Sequence, residues 1–201
     1  MSTVVPIHAA VMLGSNLGAR AANIAGAVIA IASIPGTRLL ARSSVRESAA
    51  MIPPGETPPG AHAGVGAAAK PYIERGKQGG AYLNAAVLIA TRLSARDLVG
   101  QLQRIEARFG RDRASETSRW LPRTLDLDLI LFGDQVIEEP DLRVPHPGMH
   151  ERLFVLEPLA EIAPAMHVPT RAGEAPRPGR TVLEMFEALR RLRAGAAEAG
   201  V

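Results

Sequence analysis

The chain has 201 residues, enough for one domain with a sizeable core, and its 47% apolar but 3% aromatic content means that Leu, Val, Ile and Ala must build that core. The net charge is only +3, and the absence of cysteine excludes disulfides, thiolate metal sites and a cysteine nucleophile. The N-terminus lacks the basic start and long apolar stretch of a signal peptide, and no apolar run approaches a membrane span, so a soluble cytoplasmic protein is expected.

Ile7 to Leu13 reads as a short buried strand that ends in Gly14-Ser15-Asn16-Leu17-Gly18. A turn between strand and helix is a place where phosphate can bind. This one has neither the Gly-Lys-Ser/Thr of a Walker loop nor the third glycine of a dinucleotide fingerprint, so a tight turn is the better reading. Residues 19–33 predict an Ala-rich helix stopped by Pro35-Gly36, and Leu39 to Val45 a second strand. Residues 49–80 are dense in Pro, Gly and Ala without a sustained period. They predict a long insertion loop, either a lid or a segment without function.

Ala81 to Leu93 predicts a third strand, with Tyr82 and Asn84 on one side of it. A ring beside an amide could clamp a flat heterocycle. Ser94 opens a helix with Asp97 as its capping partner. Leu98, Leu102, Ile105 and Phe109 form one apolar stripe along it, and Gly110 closes it. Gln103 and Glu106 lie off that stripe and face either a ligand or water.

The next strand is the most informative stretch. Leu125, Leu127, Leu129 and Leu131 alternate with Asp126 and Asp128, so the leucines should share one face and the two acids the other. Two residues of strand rise set the acids roughly 6.5–7 Å apart at Cα, close enough for their oxygens to converge. A solvated face paired with Lys or Arg is one reading. Asp is a poor strand former, however, and Arg119, Trp120 and Arg123 lie just upstream. Two carboxylates that close need a cation between them, and oxygen-only ligation suits Mg²⁺, with the arginines holding an anion against it. Arg104, Arg108, Arg111, Arg113, Arg119 and Arg123 concentrate positive charge in one window, which suits nucleic acid or a small polyphosphate.

Gln135 to Glu138 can form a further short strand, and Val182, Met185, Phe186 and Leu189 mark a C-terminal amphipathic helix. His146 and His150 have the spacing of a helical metal pair, but Pro145, Pro147 and Gly148 forbid a helix there, which disfavours zinc. His146 can instead donate to a phosphate, with Arg152 and Phe154 close behind. The order β-α-β-β-α-β predicts a ferredoxin-like α+β sandwich. It would be a single domain, 1–201, with the insertion at 49–80 and a C-terminal helix and tail at 176–201.

These residues resemble the 6-hydroxymethyl-7,8-dihydropterin pyrophosphokinase family of folate biosynthesis. The resemblance runs from Val11 to about Pro164. It rests on Leu13 to Gly18, Tyr82-Leu83-Asn84-Ala85-Ala86, Gln103-Arg104-Ile105-Glu106, Trp120 to Gly133, Val144-Pro145-His146 and Arg152-Leu153-Phe154. It implies transfer of pyrophosphate from ATP to the pterin hydroxymethyl group, releasing AMP. It further implies Asp126 and Asp128 as ligands of two Mg²⁺ ions, and Gln103, Glu106, Leu129, His146 and Arg152 as ATP contacts. Arg111 and Arg123 would engage the phosphates, Tyr82 and Phe154 would sandwich the pterin, and Asn84 would hydrogen-bond it. Trp120 would belong to a loop that closes over the site and its nucleotide. The partners expected are these small molecules, with no nucleic acid and no membrane, and a monomer. The chain departs from the family pattern at Ala49-Ala50-Met51, at Asp141 where an arginine is expected, and at Pro147 where a tyrosine is frequent. An RNA-binding ferredoxin-like module and an inactive homologue are the competing readings. The first lacks the aromatic residues of a stacking surface, and the second must explain why the acids and arginines are retained.

Overall fold

Ile7–Ser15 (β1) runs through the middle of the sheet, and Ala9, Ala10, Val11, Met12 and Leu13 are all buried because both of its faces are covered. The computed structural model describes residues 5–49, 73–74, 77–78, 81–111, 122–170 and 181–198. After β1 come helix α1 (Arg20–Ala32), strand β2 (Thr37–Arg42), the short strand β3 (Arg46–Ser48), and β4 (Ile73–Glu74) paired with β5 (Lys77–Gln78). Then follow β6 (Tyr82–Thr91), α2 (Ala95–Arg108), β7 (Asp126–Phe132) and a hairpin of β8 (Ile137–Glu139) with β9 (Leu142–Val144). A single 3₁₀ turn, Met149–Glu151, precedes α3 (Leu153–Ile162) and α4 (Val182–Glu198).

The main sheet has the order β2-β6-β1-β7, and every pairing in it is antiparallel. Each of the two helical crossovers therefore skips one strand: α1 carries the chain from β1 past β6 to β2, and α2 from β6 past β1 to β7. Ser94 caps α2 as the sequence predicts, accepting from the Asp97 backbone N–H at 3.1 Å and donating to its carboxylate at 2.6 Å. The apolar sides of α1 and α2 pack on one face through Ile24, Ala27, Val28, Ile31, Leu98, Leu102 and Ile105.

Two strand predictions are corrected by backbone geometry. Leu39 to Val45 is not one strand. β2 ends at Arg42, and buried Ser43 then takes over from the ladder. Its hydroxyl accepts from the Ala86 N–H at 2.8 Å and its own N–H donates to the Ala86 carbonyl at 2.9 Å, before β3 resumes pairing along β6. In β7 the strict alternation breaks. Val11 pairs with Leu129 but Ala10 with Leu131, so Ile130 is an extra residue in a bulge. Leu125, Leu127 and Leu129 face α1 and α2, whereas Leu131 joins the opposite core. The bulge lies beyond the two acids and leaves their shared face intact.

That opposite core covers only part of the second face. Ala10, Met12, Ala86, Ile130 and Leu131 pack there under Val155, Leu156 and Leu159 of α3 and Val182 and Met185 of α4. The C-terminal helix thus backs the helix that walls the uncovered remainder. Met185→Ala removes a side chain that is 5% exposed and is expected to lower unfolding free energy by about 2–3 kcal/mol in a urea titration. No described helix is long and apolar enough to cross a membrane.

Candidate active site

The uncovered end of the second face is a cleft of about 430 Å³. Register explains its contents. Gly14 pairs with Asn84 on one side and Asp126 on the other, and Met12 with Ala86 and Asp128, so these side chains rise from one face of three adjacent strands. At Gly14 a Cβ would sit 3.5 Å from the Tyr82 ring, 3.7 Å from Asp126 Cβ and 3.8 Å from Asn84 Oδ1. The glycine keeps that space open between ring, amide and acid. Phe154, Val155 and Arg152 from the start of α3 form one wall, and His146 and Ile130 line the base.

The sequence-predicted residues Tyr82, Asn84, Arg111, Arg123, Asp126, Asp128, His146, Arg152 and Phe154 all line this one cleft. Gln103 does not, being exposed on α2, nor does Leu129, whose side chain lies in the α1/α2 core. Glu106 is neither in the cleft nor in water; it is buried between α2 and β7. Trp120, Arg113 and Arg119 lie outside the described residues, as does most of 49–80. The sequence reading missed Gly14, Met12, Ser48 and Val155. Only the alternation along β1 signals the first two.

The acids are not equivalent. Asp126 accepts from Arg123 at 2.8 Å and from Arg111 as well. Arg111 also binds Glu106 at 2.6 Å, and the same Glu106 oxygen accepts from the Leu127 N–H at 2.8 Å. The Asp128 carboxyl is pushed up to about 7, first by burial, then by the charges of Asp126 and Glu106, against the pull of Arg123 and Arg111. Its unbalanced negative charge is what a divalent cation would offset. Among the described residues no cluster of three or more His, Cys, Asp or Glu is placed to hold a metal. Two carboxylates with the remaining ligands supplied by a substrate is the pattern of Mg²⁺ bound with phosphates.

Rings and an amide share the cleft with these charges. Burial, and then the neighbouring Asp126, raises the Tyr82 phenol and keeps it neutral. Asn84 is 5% exposed, and its amide donates to Ser48 Oγ at 2.8 Å, which fixes the amide plane. The Arg152 guanidinium lies 5.9 Å from the Phe154 ring centroid. It packs so closely over Gly148 that a Cβ there would come within 2.6 Å of Cζ. His146 is held by its N–H on the Ile130 carbonyl at 2.9 Å and by its Nδ1, which accepts from the Gly148 N–H at 3.2 Å. His150 belongs to the 3₁₀ turn, so the two histidines form no helical pair.

The family model for 7,8-dihydro-6-hydroxymethylpterin-pyrophosphokinase matches residues 10–164. A Synechocystis 2-amino-4-hydroxy-6-hydroxymethyldihydropteridine pyrophosphokinase is 36% identical over 90% of this chain and 75% of its own length. The Pseudomonas aeruginosa enzyme of that name is 38% identical over 79% of this chain and 82% of its own. Among solved structures, wild-type Plasmodium falciparum HPPK-DHPS with pterin and p-hydroxybenzoate aligns with a TM-score of 0.60 over 98% of this chain at 11% identity. A crystal structure of HPPK-DHPS in complex with substrates gives 0.59 over 98% at 10%. This chain spans 43% and 45% of those two polypeptides, and at such identity the likeness shows the fold alone.

Proposed function

This chain belongs to the 7,8-dihydro-6-hydroxymethylpterin-pyrophosphokinase family, and on that premise we propose that the cleft above β1, β6 and β7 is where ATP gives up its pyrophosphoryl group. The protein is a pyrophosphokinase of folate biosynthesis. It transfers pyrophosphate from ATP to 6-hydroxymethyl-7,8-dihydropterin and leaves AMP.

One observation supports the placement: two acids and their arginines share one cleft with two rings and an amide. Asp126 and Asp128 would hold Mg²⁺, two ions by resemblance to the family, against the ATP phosphates. When bound, the metal neutralises phosphate oxygens and draws the attacking and leaving oxygens toward alignment. Arg123 and Arg111, now turned on Asp126, offer forked, permanently charged donors for the same oxygens. Arg152 and His146 would meet the nucleotide from the α3 side. Tyr82 and Phe154 would stack on the flat pterin, and Asn84 would hydrogen-bond its edge, its amide held by Ser48. Displacement at phosphorus asks mainly for placement and charge neutralisation, which these side chains supply without a covalent intermediate. We read the sheet order and the two strand-skipping crossovers as a ferredoxin-like sandwich.

Mixing the protein with ATP, Mg²⁺ and the reduced hydroxymethylpterin should release AMP in step with pterin diphosphate. Asp126→Ala should lower that rate by about a hundredfold or more while the circular dichroism spectrum is kept. ADP as the nucleotide product, or full turnover in Asp126→Ala, would remove the proposed site.

A further inference from the structure

Ser15 and Asn16, where β1 runs into the turn, line no part of the cleft, yet their polar atoms are not idle. Ser15 is fully buried and Asn16 is 6% exposed. The Asn16 N–H donates to the Arg123 carbonyl at 3.1 Å, and Asn16 Oδ1 accepts from the Arg123 N–H at 2.7 Å. Ser15 Oγ donates to the Thr124 carbonyl at 2.6 Å. Asn23, from α1, donates to that same carbonyl at 2.9 Å and to the Leu17 carbonyl at 3.2 Å. Arg123 and Thr124 precede β7, so no sheet ladder holds them. Three side chains and one backbone amide do so instead.

We propose that Ser15, Asn16 and Asn23 are positioning residues for pyrophosphoryl transfer, acting through Arg123. The inference rests on the role proposed for Arg123. An arginine side chain carries much rotamer freedom, and what the protein can fix is the point from which it swings. Clamping the main chain on both sides of the residue fixes that point while leaving the guanidinium able to move from Asp126 to a phosphate. A displacement of about 1 Å at such a group can cost about a hundredfold in rate. The turn also explains its own glycine: Gly18 has φ of +70°, which lets the chain reverse from the clamp into α1.

A merely structural clamp would also stabilise the fold, so the test is a double-mutant cycle read in turnover. Asn16→Ala is expected to lower kcat by about 10–100-fold, with KM for ATP and for pterin changed by less than about threefold. Asn16→Asp keeps an acceptor for the Arg123 N–H and should recover most of the loss. In an Arg123→Ala background, assayed in single turnover at high enzyme concentration, Asn16→Ala should lower the rate by no further factor. Asn23→Ala provides the same cycle should Asn16→Ala fail to fold, and melting curves report folding for each variant. Equal losses of rate in both backgrounds would overturn the proposal, as would a lowered melting temperature with kcat unchanged. Full turnover in Arg123→Ala alone would instead remove the reading of Arg123 from which the inference starts.

Discussion

Replacing Asp128 by Asn is expected to abolish most turnover and, in the same stroke, to make the metal-free protein harder to unfold at pH 8. Both effects come from one carboxylate. Folding buries Asp128 beside Asp126 and Glu106, and raises it from an ordinary 3.8 to about 7. Between those values the folded protein keeps a proton that the unfolded chain has lost. Stability therefore falls as pH rises through that window, and above 7 the folded state carries the whole penalty of an ionised, poorly balanced acid. Asparagine cannot ionise, so it has no such penalty. The melting temperature of Asp128→Asn should exceed that of the parent at pH 8, the gap should narrow as pH is lowered, and it should close near pH 4. Turnover should meanwhile fall by about a hundredfold or more, since the proposed metal site would lose one of its two anionic ligands. Equal melting temperatures at pH 8 would show that Asp128 is not held in the strained state described.

The contrast with Asp126 explains why the two acids carry different burdens. Arg123 and Arg111 both donate to Asp126, while for Asp128 the like charges and burial prevail over the same arginines. The site thus holds surplus negative charge at Asp128, while its arginine charge is directed at Asp126. A metal–phosphate pair brings the matching charges in the opposite arrangement. Binding can then relieve the first and recruit the second, and the binding energy goes to interactions the free protein makes badly.

The parts of this arrangement differ in how plainly the sequence announces them. The acids, Tyr82 and Asn84 were legible because strand alternation is a local rule, and β1, β6 and β7 obey it up to the bulge at Ile130. Helix α2 was legible because Ser94, the apolar stripe and Gly110 all agree. Helix α3 was not. Leu153, Phe154, Val155, Leu156 and Leu159 are apolar nearly all round, and Pro158 sits inside, removing the N–H that would bond the Phe154 carbonyl. Arg152 and Phe154 were therefore placed in the site by resemblance, with no view of the element that aims them. The clamp on Arg123 was hidden for another reason: it joins residues 107 positions apart, and nothing local in Ser15 or Asn16 names the partner. Sequence leaves Glu106 open between ligand and water, and the structure takes it out of water and sets it against Arg111, because Gly110, at φ of +85°, turns the chain so that Arg111 comes back to meet it.

That buried contact carries the largest stability effect expected of a single substitution near the site. Glu106 and Arg111 have side chains 1% and 4% exposed. Glu106→Ala would leave the Arg111 charge in the interior with Asp126 but without its 2.6 Å partner, and the Leu127 N–H without its acceptor. Removing one member of a buried pair costs about 3–5 kcal/mol, mostly through what is left behind. For a chain of this size each kcal/mol lowers the melting point by about 2–4 °C, so a drop near 10 °C is expected. Glu106→Gln keeps an acceptor for the Leu127 N–H while losing the charge, and should fall between. Turnover should decline with both, because Leu127 stands between the two acids and Arg111 reaches Asp126. The family resemblance implies a different role for Glu106, contact with ATP. That role would show as a raised KM for ATP with the melting point unmoved. A loss of stability with the ATP KM little changed places Glu106 under the site as the support that holds Arg111 and β7 in register; the reverse pattern would place it in the nucleotide's path.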